Sequence, residues 1–134
     1  MLKKDYFLKL ISTFFEALSR AVKNIREGNT EQARVQINDT YGLLGADRNF
    51  FIDQDLETII AKFKESDDDH LKRIQLLAQL MYYDLLSTDI PELKQIIFEK
   101  CETLFTYYLQ NTDEYSLEVM QIYNELERYK QTLN

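Results

Sequence analysis

Few residues in this sequence could do chemistry: a single histidine, a single cysteine and one dense run of carboxylates. Asp67, Asp68 and Asp69 precede His70, which would offer hard oxygen ligands and one softer nitrogen to a metal ion. A calcium loop needs spaced oxygens, a glycine turn and a distal glutamate, and a di-iron helical bundle needs two Glu-x-x-His pairs. Neither pattern is present. The run therefore reads as a solvated helix cap, where negative charge is stabilising by itself. Cys101 could act as a nucleophile, but it falls on the apolar stripe of a helical segment, where free cysteine is usually inert. A Cys-His or Ser-His-Asp arrangement would have to recruit His70 from far along the chain. Asp53 and Glu57 fit an exposed helical face, and there is no glycine-rich phosphate loop. The sequence predicts no catalytic residue, no metal site and no cofactor.

The elements that would position any site are helical. The chain has 134 residues, 45% hydrophobic and 29% charged, with only three glycines and one proline. That length suits a single domain over 1–134. So few turn-formers exclude a sandwich or barrel of many short strands. Apolar residues recur at intervals of three and four. Phe7, Ile11, Phe14, Leu18, Ala21 and Ile25, widened by Leu8, Phe15 and Val22, predict a first helix over about 4–27. Gly28 stops it, and Asn29 with Gln32 suggests a capping box for a second helix ending at Gly45. Its inner stripe is Ala33, Ile37, Tyr41 and Leu44. The stretch 46–55, with Phe50, Phe51 and Ile52 in a row, reads as a buried connector. A third helix follows to about 64, bearing Leu56, Ile59, Ile60 and Phe63. A fourth carries Leu71, Ile74, Ala78, Met81 and Leu85, with Leu77 and Leu80 beside them. Asp89, Pro91 and Glu92 mark the start of a fifth, with Leu93, Ile97, Cys101, Leu104 and Tyr108. A sixth shows Tyr115, Val119, Ile122, Leu126, Tyr129 and Leu133.

Residues 25–37 resemble the hairpin of a tetratricopeptide repeat (TPR). Gly28 closes one helix and Ala33, five residues on, is the small residue that lets the second approach. Ile37 takes the large apolar position, and Ala21 suits the small position of the first helix. A fainter echo spans 107–120, with Asn111, Ser116 and Met120 in the same roles. There is no tryptophan, the repeat-ending proline is absent, and the echoes are out of the 34-residue period. The resemblance implies an all-α fold of about six antiparallel helices in a TPR-like right-handed array, of a kind found in short bacterial families of unknown function. A compact helical bundle is the alternative.

Nine tyrosines and eight phenylalanines include the adjacent pairs Tyr82-Tyr83 and Tyr107-Tyr108. Neighbours on a helix point about 100° apart, so one of each pair can face the core and the other a groove. Tyrosine suits interfaces because its ring is apolar and its hydroxyl tolerates water. By the TPR resemblance the first helix of each hairpin lines the concave face, which implicates the first, third and fifth helices. It makes Tyr107, Tyr108 and Lys100 groove candidates, with Tyr82 and Tyr83 beside them. The expected function is a non-catalytic protein-interaction module that binds a protein, a peptide or a second copy of itself. A structural homo-oligomer is the alternative, and an enzyme relying on His70 a third.

Charge narrows the partners. The net charge is −7, and Met1 to Glu27 carry six Lys or Arg against three Asp or Glu, a balance of +3, leaving −10 for the rest. An acidic body repels phosphate backbones and disfavours nucleic acid. The basic first helix, with Lys3, Lys4, Lys9, Arg20, Lys23 and Arg26, could lie on an anionic membrane, but so regular a stripe is more often buried against a neighbouring helix. No stretch is apolar enough to span a bilayer. Asp5, Lys9 and Glu16 interrupt what would be an export signal. One cysteine and no leader point to a reducing cytoplasm.

Overall fold

The computed structural model describes residues 3–66 and 69–132. Among them are seven α-helices and no strand. They are α1 (Lys3–Arg26), α2 (Thr30–Gly42), α3 (Arg48–Asp53), α4 (Leu56–Lys64), α5 (His70–Ser87), α6 (Pro91–Asn111) and α7 (Leu117–Thr132). The expected count of six is corrected because the supposed connector contains α3. Asp47 caps that helix, its carboxylate accepting from the Phe50 amide at 2.9 Å, which satisfies an amide with no partner inside the helix. Asp67, Asp68 and Leu133 lie outside the described residues, as does the side chain of Lys3.

Helix α1 ends where expected, by a Schellman motif. Gly28 takes φ +79°, its amide donates to Ile25 O at 3.2 Å, and the Asn29 amide donates to Asn24 O at 2.8 Å. Only glycine adopts that backbone without steric cost. The predicted capping box does not form. The Asn29 side chain makes no cap bond and donates instead to Asn24 Oδ1 at 3.3 Å. Asn24 in turn donates to Gln36 Oε1 at 2.8 Å and ties α1 to α2. Ala21 and Ala33 are fully buried in this hairpin, and small residues let helix axes approach closely. Leu8 proves exposed and does not widen the stripe.

Helix α6 also starts as expected but with a different cap. Pro91 occupies the first turn, and Ile90 is the N-cap, without a side-chain cap bond. A residue before proline is driven to extended backbone, and Ile90 has φ −85° and ψ 115°. That shifts Asp89 one place out of capping reach. Ser116 caps α7 through the Val119 amide at 3.3 Å, so it does not sit at a helix crossing as the second TPR echo required. Tyr115 lies before α7 and is 80% exposed, which removes it from the inner stripe.

One hydrophobic cluster draws residues from all seven helices. α5 is its axis and is buried nearly all round, as a central helix must be. It pairs most extensively with α6, and α1 pairs with α2. α1, α2, α4 and α7 all pack on α5, while α3 packs on α2 and α6. The apolar stripe of α1 is therefore covered by protein. No helix among the described residues is long and apolar enough to cross a membrane.

Candidate functional site

The five tyrosine and lysine candidates do not converge. Each tyrosine pair splits as the 100° step requires. Tyr108 is buried, and its hydroxyl donates to Gln75 Oε1 at 3.0 Å; it packs the core and also borders a small recess of about 180 Å³ with Leu71 and Asn111. Tyr82 is likewise buried, donating to Glu125 Oε2 at 2.6 Å, a bond that joins α5 to α7. Tyr107 is half-buried, with its hydroxyl 3.0 Å from His70 Nε2, and borders a shallow recess with Leu56 and Tyr123. Lys100 donates to Gln54 O and so holds the end of α3. Burial lowers its pKa, while Asp55 and Asp53 oppose the shift. Its ammonium is occupied by the fold.

Tyr83 remains, and it lies in an open groove of about 430 Å³. The walls are α1, through Phe15, Leu18, Val22, Lys23 and Arg26, and α7, through Glu118. The floor is α5, through Gln79 and Tyr83. These are not the first, third and fifth helices. With α3 present, α5 and α7 stand beside α1 at this face. Gln79 is only 1% exposed. Its side-chain oxygen accepts from Gln75 Nε2 at 3.1 Å, but its amide nitrogen donates to no described residue. No buried side-chain nitrogen or oxygen lacks a partner among the described residues, so that nitrogen must meet the groove. A nearly buried donor is costly unless water or a ligand accepts from it. A larger recess of about 610 Å³ lies between Tyr6, Leu43, Lys62 and Phe63, and none of the five candidates lines it.

The polar cluster most deeply built into the protein was absent from the sequence reading. Asp84 is 2% exposed. Its Oδ2 accepts from the Tyr41 hydroxyl at 2.5 Å and Arg48 Nε at 2.8 Å. Its Oδ1 accepts from Arg48 Nη2 at 3.0 Å and Thr88 Oγ1 at 3.1 Å. The hydrogen bond to Asp84 raises the Arg48 pKa, and burial, reinforced by Asp84, pushes the Tyr41 hydroxyl well up. The signal was available: Asp84 is the one charged residue between Leu76 and Leu86, and a charge inside an apolar helical run must find a buried partner. Cys101 is fully buried, its thiol 3.4 Å from Ala78 O and pushed up by burial. Among the described residues no group of three acidic, histidine or cysteine side chains could hold a metal ion.

These shifts set an alkaline limit on stability. Burial is the main cause of the raised values at Tyr41, Tyr82, Tyr83 and Cys101. Each group keeps its proton in the folded state after the unfolded chain has lost it. The stabilisation is thus fully present below the unfolded value, 10.0 for tyrosine, and is lost as pH rises toward the folded value. The urea midpoint should hold steady to about pH 9 and fall above it. Tyr41→Phe should make that fall shallower. A midpoint that stays flat well above the tyrosine range would contradict the burial of these hydroxyls.

No protein-family model matches the chain, and neither a curated protein nor a solved structure matches it.

Proposed function

We propose that the protein is a non-catalytic interaction module of TPR-like design that receives a peptide segment of a partner protein in the groove between α1, α5 and α7. On this reading α1, α5 and α7 are the first helices of successive hairpins, and α3 and α4 are an insertion. The observation that carries it is the unpaired Gln79 amide nitrogen beneath Tyr83, in a cleft that sets apolar Phe15, Leu18 and Val22 beside Lys23, Arg26 and Glu118, since an extended peptide brings main-chain carbonyls that need donors. The acidic surface and reduced, buried Cys101 suit a cytoplasmic partner protein more than nucleic acid.

The test is affinity capture from lysate of the source organism with the tagged full chain, followed by mass spectrometry. Tyr83→Ala and Val22→Glu should each lower recovery of the captured protein at least about tenfold, the loss of one or two interface anchors. Circular dichroism should still report a folded helical protein. Undiminished capture by both folded variants would remove the groove from the interface. A homo-oligomer is the second reading, favoured by Tyr115 and Leu117, 80% and 62% exposed at the start of α7. Light scattering that finds only monomer over the accessible concentration range would sink it.

A further inference from the structure

We propose that the recess bounded by α2, the start of α3 and the end of α5 binds a small oxyanion, the carboxylate or phosphate group of a low-molecular-weight ligand. The recess has a volume of about 330 Å³ and shares no residue with the Tyr83 groove. Its chemistry begins with Arg48. Two of the guanidinium nitrogens, Nε and Nη2, grip Asp84, which fixes the plane of the group before any ligand arrives. Nη1 takes part in neither bond. An arginine immobilised in this way loses little side-chain entropy on engaging an oxyanion.

Two more donors line the same space. Arg34 meets only an exposed Glu31, at a long 3.9 Å, and Asn38 contributes an exposed amide with no hydrogen bond to a described residue. The acceptors are the exposed Glu31 carboxylate, which among the described residues meets only Arg34, and the buried Asp84. Asp84 lines the recess, but its Oδ2 already accepts two hydrogen bonds, and its Oδ1 accepts one from Arg48 and a share of the Thr88 hydroxyl. Ser87 and Thr88 turn their hydroxyls to Asp84 O at 3.1 Å and 2.8 Å. The two arginines and two carboxylates cancel in net charge, so attraction is short-ranged and depends on the forked donors rather than on a long-range field. Val35 and Ile37 form an apolar side, which admits a small hydrocarbon body behind the anionic head.

The experiment titrates the ¹⁵N-labelled full chain separately with inorganic phosphate and with propionate at constant ionic strength. The signals followed are the Arg48 Nε–H and the Asn38 side-chain amide. Saturable shifts at both groups are expected, and the anion that saturates at lower concentration identifies the head group. Arg34→Ala should weaken that binding about tenfold, as loss of one charge-assisted hydrogen bond would. Glu31→Gln should tighten it roughly two- to fivefold by releasing Arg34. Arg34 and Glu31 are exposed, so both variants should melt with the parent protein. Linear, unsaturating shifts with both anions would overturn the site, and so would a titration unchanged by Arg34→Ala.

Discussion

Replacing Asp84 by alanine is expected to destabilise the protein by about 3–5 kcal/mol, the cost of removing one partner from a buried ion pair. The carboxylate receives three hydrogen bonds from Tyr41 and Arg48 and a share of the Thr88 hydroxyl, which also reaches Asp84 O. Its loss strands the Tyr41 hydroxyl, which is fully buried, and leaves the half-buried Arg48 uncompensated. Most of the cost lies in those orphaned donors rather than in the attraction itself. The double variant Asp84→Leu with Arg48→Met should therefore recover much of the loss, because apolar replacement of both partners is often nearly neutral. Urea denaturation followed by circular dichroism reads both effects. A single Asp84→Ala variant less than about 1 kcal/mol below the parent would mean that water reaches the carboxylate and the cluster is not buried in solution.

Phe51→Ala should cost a similar amount, about 3–5 kcal/mol, the range for emptying a buried aromatic site. Phe51 is fully buried. Its ring stacks on Tyr41 at 6.0 Å, tilts against Phe63 at 5.7 Å and meets Phe50 edge-on at 5.3 Å. This aromatic set joins α2, α3 and α4, so a six-residue helix that would never persist alone is held by its side chains. Phe50→Ala, at a half-buried ring, should cost clearly less. Equal effects from the two would show that α3 is not anchored as described. Domains of this size are stable by about 5–15 kcal/mol in total, and either large variant would remove a substantial share of that.

The contrast between these two sites shows what the sequence made legible. Long stripes were readable because a helix of several turns repeats its apolar spacing many times: α1, α5 and α6 lie where Phe14, Ile74 and Cys101 placed them. Phe50-Phe51-Ile52 could not be resolved, because six residues give less than two helical turns and no period can be read from them. Only the cap at Asp47 distinguishes α3 from a strand-like connector. The caps at Asn29 and Asp89 failed for local reasons, a competing side chain in Asn24 and the backbone demand of Pro91. Among the site residues, the in-and-out splitting of paired tyrosines followed from helix geometry. Which member faced in did not, since that depends on the neighbours of α5 and α6. Tyr83 was named from the sequence, whereas Gln79 resembled any polar residue on a helix until its neighbours were known.

Cys101 has a consequence for watching this protein move. It is the single thiol of the chain, it is fully buried on α6, and its proton is held more tightly than in a free cysteine. A reagent that alkylates thiolate can reach it only after α6 parts from α5, because its sulfur lies against Ala78 O. The rate of alkylation is then set by how often the central helix pair separates and how long it stays apart. At low reagent the labelling rate reports the open population, and at high reagent it reports the opening rate. The native chain thus carries its own clock for the separation of α5 and α6, with no residue introduced.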